Sequence, residues 1–371
     1  MHVAMVTDTF QTGGGQEQLF QLVKALPTIR FSVSAKGGDP RRFHRLPNAA
    51  VYASGFGRKH LLGLSPDLIH FHHLRPLVHF FSHPGAAQAP VPVLFTAQGL
   101  HVRKYRHRTG LRSRTGKLLR RALERRLFGR VDRVIAVSLE DERFLRSRYG
   151  LERVVYIPNA VDVRALEEGV PAGEGLRREL GIPPDRTLFL TVARFDFQKG
   201  YDVLLEGIRL GRQRFRETRT LFLLVGEGKE RPAMQKLAAG KRLTDLVCFA
   251  GERAEAWRMM KECDLFVLPS RWEGLPVSLL EALFSKVPVV ASDACGNRQI
   301  VRHGVNGLLF ENGNPESLRQ ALEQMTDPKT RESLVPIPLD EAFRREYDIE
   351  HIRRALEGLY RKCAGRIPGP S

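Results

Sequence analysis

The stretch Pro269–Val301, PSRWEGLPVSLLEALFSKVPVVASDACGNRQIV, decides how the chain is read. It carries two carboxylates, Glu273 and Glu281, with seven residues between them. Its first residues follow Asp264–Leu268, a short apolar run of the kind a buried parallel strand needs. Pro276 suits the first turn of a helix, where its missing N–H costs nothing. Val277–Phe284 then reads as helix and Val287–Ser292 as the next strand. Glu273 is thereby expected in a loop at a strand's carboxyl end, and Glu281 about one turn inside an otherwise apolar helix. A carboxylate among Leu279, Leu280 and Leu283 is expensive unless a donor satisfies it. The N–H groups of the 274–277 stretch, Pro276 apart, point out of the helix start, where phosphate binds well. A ligand bearing hydroxyls and phosphates would answer all three features. A helix with one solvent-facing Glu, beside an ordinary loop Glu, is the competing reading.

Working outward, the chain alternates strand and helix throughout. Strands are expected at Val3–Thr7, Ile29–Ala35, Ala49–Ala53, Asp67–His73, Val91–Thr96, Arg133–Val137 and Val154–Ile157. A second series falls at Thr187–Ala193, Leu221–Val225, Val247–Ala250, Leu265–Leu268, Val287–Ser292 and Gly307–Phe310. Between them, Gln16–Leu26 sets Leu19, Leu22, Val23 and Leu26 on one helical face. Ser138 with Asp141 has the spacing of an N-cap followed by a capping acid. Such alternation implies α/β architecture with parallel sheets covered by helices. A length of 371 residues suits two domains, and 42% hydrophobic content supplies their cores. Residues 167–187 read as loop plus a short helix. The tail, Asp340–Arg361, places Ile349, Ile352, Leu356, Leu359 and Tyr360 at helical spacing.

EGLPVSLLE, with the glycine-containing loop expected at Gly296, resembles the E-x7-E signature of family 4 glycosyltransferases. Ile157–Asp162 (IPNAVD), Thr191–Gly200 (TVARFDFQKG), Leu224–Lys229 (LVGEGK), Phe249–Gly251 and Asn306–Phe310 resemble further family segments, in the family's order. The resemblance is dense from about 155 to 325 and sparser before it. It implies the GT-B fold, two Rossmann-like domains facing across a cleft, with a C-terminal helix crossing back to the N-terminal domain. Residues 1–158 would form the N-terminal, acceptor-side domain, 159–339 the nucleotide-sugar-binding domain, and 340–371 the returning helix.

The resemblance also implies roles. Glu281 would accept from the ribose hydroxyls of the donor, and Glu273 would contact its sugar. Gly274, Leu275 and Pro276 line the loop between them. Arg194 and Lys199 would bind the diphosphate that gains negative charge as the glycosidic bond breaks. Gly14 and Gly15, in the turn after the first strand, resemble the family's GGxE and would offer backbone to the donor. Two departures stand out. Thr96-Ala-Gln98-Gly99 has Gln98 where the family carries His, so His101, three residues on, is the catalytic candidate from that domain. Gln299 stands where many relatives carry Glu. No DxD motif lies near a strand end, which agrees with the metal-independent habit of the fold the resemblance implies; no metal and no other cofactor is expected, and retention would proceed by front-face attack. His70, His72 and His73 cluster at a strand end, but no Cys or acid completes a metal set.

Charge adds a partner. The formal net charge is +18, and between His101 and Arg133 thirteen Lys or Arg stand against Glu124 and Asp132 alone. Nucleic acid, an anionic membrane surface and an acidic soluble acceptor are the candidate partners of such a segment, and a merely solvated, Arg-rich surface is the competing reading. No nucleic-acid-binding signature accompanies it, so nucleic acid is set aside. Lys117–Phe128 alternates leucines with basic residues, as a helix lying on anionic lipid does, or as a core-facing helix with a solvated side does. Nothing approaches the roughly 18 consecutive apolar residues of a spanning helix. Met1–Thr7 opens as a strand without the features of a signal peptide, and the four cysteines show no CxxC pair. The expectation is a cytoplasmic, retaining nucleotide-sugar glycosyltransferase, peripheral on the inner face of the cell membrane. Its acceptor would be a cell-envelope glycan or a lipid-linked intermediate. A same-fold synthase acting on a small phosphorylated or polyol acceptor, and a basic binding protein that has lost catalysis, are the alternatives.

Overall fold

The computed structural model describes residues 1–11, 13–53, 55–83, 89–99, 111–168, 175–253, 256–334 and 340–365, the side chains of 111–115, 117, 175 and 176 apart. His101 lies outside the described residues. The chain divides into two units, Met1–Ala160 with Glu346–Ser371, and Val161–Arg345.

The first unit is built on seven strands: β1 His2–Val6, β2 Arg30–Ser34, β3 Ala49–Tyr52, β4 Leu68–Phe71, β5 Val93–Ala97, β6 Arg133–Ala136 and β7 Val154–Tyr156. Their order is β3-β2-β1-β4-β5-β6-β7, all parallel. The order reverses at β1, which pairs β2 on one side and β4 on the other. Both faces are covered by helices, so β1, β4 and β5 are buried along their whole length and their sequences run apolar.

The second unit holds β8 Thr187–Val192, β9 Thr220–Val225, β10 Val247–Gly251, β11 Leu265–Leu268, β12 Val289–Ser292 and β13 Gly307–Phe310. The order is β10-β9-β8-β11-β12-β13, again parallel, reversing between β8 and β11. Phe189, Phe195, Phe215 and Phe222 anchor its core.

The tail differs from the single helix its periodicity implies. It forms two, Glu341–Tyr347 and Ile349–Ala364, broken where the Asp348 carboxylate accepts from the Glu350 N–H and caps the second. The second helix belongs to the first unit. Ile349, Ile352, Leu356 and Tyr360 are buried in that unit's core, against β4 and the Gly14–Ala25 helix.

One contact ties that helix down with polarity as well as area. The Tyr360 hydroxyl lies 2.6 Å from His70 Nδ1, and Thr96 Oγ1 lies 2.7 Å from His70 Nε2. Both ring nitrogens are therefore engaged, and the cluster of histidines is structural at this position. Burial pushes the His70 imidazole down to about 3. Burial, then the neighbouring His70 and His73, hold His72 well below its ordinary range. Burial raises the Tyr360 hydroxyl well above its own. The fold thus requires neutral rings that the unfolded chain protonates near pH 6.5. Between that value and about 3 the unfolded state holds more protons, so stability falls as pH falls through this window. His70→Gln keeps hydrogen-bonding groups without the titration. Urea midpoints measured between about pH 7.5 and about pH 5 should show a shallower loss in that variant than in the parent. Equal slopes would rule the His70 contribution out.

Candidate functional site

In the second unit the segments following the strands beside the order reversal converge. The segment after β8 bears Arg194 and Lys199, the segment after β11 bears Glu273, and Gly296 follows β12. Open parallel sheets bind ligands outside the carboxyl ends of such strands.

The β8 segment is shaped by its own sequence. Asp196 accepts from the Gln198 N–H and caps the short Phe197–Lys199 turn. Gly200 ends that turn at φ +67, and a Cβ there would sit 2.2 Å from the Pro269 carbonyl oxygen. Only glycine allows this approach, which lays the turn against the exit of β11. Phe195 stacks on Tyr201 with ring centroids 3.9 Å apart, and the Tyr201 hydroxyl donates to the Ala193 carbonyl.

Lys199 then reaches Glu273. Its Nζ lies 2.5 Å from Glu273 Oε1, with side-chain exposures of 18% and 7%. Taking one partner away would leave a charge largely out of water, a loss of about 1–3 kcal/mol or more. The Lys199 ammonium has three donors. Among the described residues Glu273 is the acceptor that takes one of them.

Three residues that were not singled out in the sequence hold this arrangement. Gln198 Nε2 donates to the Trp272 carbonyl at 2.8 Å and lies 3.5 Å from Glu273 Oε2. Arg271 forks onto Asp202 at 2.9 and 2.6 Å, donates to the Phe197 carbonyl, and gives its backbone N–H to the Gln198 carbonyl. Cys295 Sγ donates to the Glu273 carbonyl at 3.2 Å. The partners of Gln198 and Arg271 are some seventy residues away, so no local pattern announces them.

The helix following Glu273 runs Val277–Phe284, with Pro276 at its N-cap rather than inside its first turn. Pro276 has φ −75 and ψ 117, an extended geometry. Gly274, Leu275 and Pro276 are buried, and Glu281 is half-buried. The first N–H groups of such a helix have no partner within it.

Gly296 corrects an expectation. It does not sit in a loop but in a short helix, Cys295–Ile300, which also carries Gln299. The reason is packing. A Cβ at Gly296 would fall 2.1 Å from the Gly274 carbonyl oxygen, so this helix presses its backbone onto the Glu273–Gly274 loop. Asn297 fastens it from below, donating to the Ser292 carbonyl at 2.9 Å.

The remaining candidates are placed as follows. Arg194 is 53% exposed and donates from Nε to Asp196 at 2.8 Å, so it lies in the same segment as Lys199 but pairs locally. Gly14 opens the Gly14–Ala25 helix of the first unit, after an extended Gly13, and Gly15 lies near the His73 ring. Gln98 accepts from Asn159 Nδ2 at 3.2 Å in that unit. Groups of His, Cys, Asp or Glu suited to a metal ion are absent among the described residues.

Comparison with known proteins agrees with this architecture. The family model described as Glycosyltransferase Family 4 matches residues 9–165, and that described as Glycosyl transferases group 1 matches 174–336. A solved structure, Anabaena Alr3699/HepE in complex with UDP-glucose, aligns at TM-score 0.81 and 20% identity over 98% of this chain and 100% of its own. The fold is therefore GT-B. The Escherichia coli UDP-Gal:alpha-D-GlcNAc-diphosphoundecaprenol alpha-1,3-galactosyltransferase is 26% identical over 200 residues, 53% of this chain and 52% of the relative. The Rhizobium meliloti lipopolysaccharide core biosynthesis glycosyltransferase LpsE is 30% identical over 149 residues, 40% of this chain and 42% of the relative. The chain spans about half the length of the curated relatives it matches. With one model on each half, the chain belongs to glycosyltransferase family 4.

Proposed function

We propose that this chain is a retaining, metal-independent glycosyltransferase, moving a sugar from a nucleotide-sugar donor to a cell-envelope glycan or lipid-linked acceptor. The observation that carries the reading is the Lys199–Glu273 pair at the carboxyl ends of β8 and β11. Lys199 has donors to spare for a diphosphate oxygen, and Glu273 Oε2, 3.5 Å from Gln198 Nε2, keeps lone-pair capacity for a sugar hydroxyl. Arg194 adds a second cation to the same segment. Glu281 would take the ribose, and the N–H groups at the start of the Val277–Phe284 helix would take a phosphate. A solved structure of the same fold is a UDP-glucose complex, and the Escherichia coli relative is named for a UDP-Gal donor, which makes UDP the first nucleotide to test.

In the proposed step, the bond from the anomeric carbon to the leaving phosphate breaks while the acceptor oxygen bonds to the same face of that carbon. The acceptor's proton passes to the leaving phosphate. Lys199 and Arg194 stabilise the charge that accumulates there. His101 and Gln98 are the first unit's candidates for a role in this step. No cofactor is invoked.

UDP release from UDP-sugars, with and without acceptor, tests the reading. Lys199→Ala should slow transfer by about a hundredfold or more, since a preorganised charge is worth several kcal/mol in such a step. The expected circular dichroism of the variant is that of the parent. Turnover within a fewfold of the parent would place the donor elsewhere.

A peripheral membrane position belongs to the same proposal. Lys117–Phe128 lies in the helix Leu111–Phe128, which splits by position. Leu127 and Phe128 are buried, with Phe128 stacked on Phe95 at 4.9 Å. Leu118 and Leu119 are 66% and 73% exposed, among basic neighbours. No helix among the described residues is long and apolar enough to cross a membrane. Basic residues beside exposed leucines favour an anionic surface by about 1 kcal/mol each. Sedimentation with phosphatidylglycerol vesicles should therefore be strong at low salt and weak at high salt, and failure to pellet at low salt would remove the membrane from the account.

A further inference from the structure

We propose that a groove in the first unit binds a phosphate or diphosphate ester joined to an apolar chain. The inference rests on the glycosyltransferase reading for its purpose, which is to anchor an acceptor, and on the groove's own chemistry for its content.

The groove has a volume of about 630 Å³, within the range of small-molecule sites. Lys36 follows β2, Gly55–Gly57 follow β3, and the helix Leu74–Phe81 follows β4. It therefore lies outside the carboxyl ends of the strands that flank β1, where the strand order reverses. Gly55 and Gly57 leave open space where a Cβ would stand.

Its lining divides by chemistry. Phe56, Leu74, Val78 and Leu123 make an apolar wall, and Lys36, Arg75 and Arg120 bring cations to it. No carboxylate lines it among the described residues. Two of the cations have acids behind them. Arg75 lies 3.4 Å from Asp8, and Arg120 Nε lies 2.9 Å from Glu124. Glu124 also accepts from the Tyr149 hydroxyl at 2.7 Å, so it is shared. Lys36 has no side-chain partner among the described residues. An ammonium without a side-chain partner among the described residues, beside the Arg120 guanidinium held by Glu124 and the exposed Arg75 guanidinium near Asp8, suits phosphate oxygens.

The apolar part continues beyond the groove. Leu123 lines it at 39% exposure, and Leu119, one helical turn earlier, is 73% exposed. Leucines four apart on one helix share a face, which gives an apolar chain a path out from the phosphate-binding end. A purely polar anion would leave this wall unused, and an uncharged lipid would leave the cations unused.

Binding to the full chain is measured by calorimetry with three probes: farnesyl diphosphate below its aggregation concentration, inorganic pyrophosphate, and phosphatidylglycerol vesicles. Farnesyl diphosphate should bind, and pyrophosphate more weakly because it lacks the chain. Lys36→Ala should weaken farnesyl diphosphate about tenfold or more, the loss of one charged contact. Leu123→Ser should weaken farnesyl diphosphate but not pyrophosphate. Both variants should keep the parent's UDP-sugar hydrolysis. Parent-like farnesyl diphosphate affinity in both variants overturns the proposal. So does Lys36-dependent binding seen with vesicles alone, which would make the groove a bilayer contact. If nucleotide sugars are not turned over by any form, yet farnesyl diphosphate binding depends on Lys36, the groove stands and the catalytic reading falls.

Discussion

An ammonium and a carboxylate 2.5 Å apart, both mostly withdrawn from water, fix the geometry at the carboxyl ends of β8 and β11 in the second unit. Neither group is cheap to bury alone, and their attraction justifies the burial only while the distance is held. Much of the surrounding structure serves that distance. Gly200 brings the lysine's turn onto Pro269, Gly296 presses a helix onto Gly274, and Arg271 bolts the two loops together through Asp202. The result is a charged pair whose orientation is set before any ligand arrives, which is what a site that stabilises developing charge requires.

The first unit solves a different problem. Its terminal helix must stay attached although nearly two hundred residues of the other unit intervene in sequence. Ile352 and Leu356 bury apolar surface in the unit's core, and the Tyr360–His70–Thr96 chain makes the docking specific. A buried polar chain of this kind is stable only when every member is satisfied, so it selects one seating of the helix.

Much of the fold was legible because parallel sheets announce themselves. The thirteen strands of the described residues fall where short apolar runs alternate with helical periodicity, and β1, β4, β5, β9, β11 and β12 are buried along their whole length. Glu273, Lys199 and the Val277–Phe284 helix were legible from spacing and resemblance. What escaped is tertiary. Cys295–Ile300 is too short for periodicity, and glycine made it look like a loop until Gly274 came against it. Gln198 and Arg271 act on residues 74 and 69 positions away, invisible in any window. Asp348 broke the tail helix because a cap outcompetes continuation of an apolar stripe. In the Lys117–Phe128 segment, one pattern serves two fates: Leu127 faces the core and Leu119 faces out.

The central claim is that Lys199 and Glu273 act as one unit on a nucleotide sugar. A double-mutant cycle with Lys199→Met and Glu273→Gln, read as UDP affinity by calorimetry, tests it most directly. Residues in contact at one site couple by about 0.5–3 kcal/mol. The account predicts coupling in that range, with the Lys199 variant the weaker binder of the two. Strict additivity, or UDP affinity untouched by either change, would contradict it.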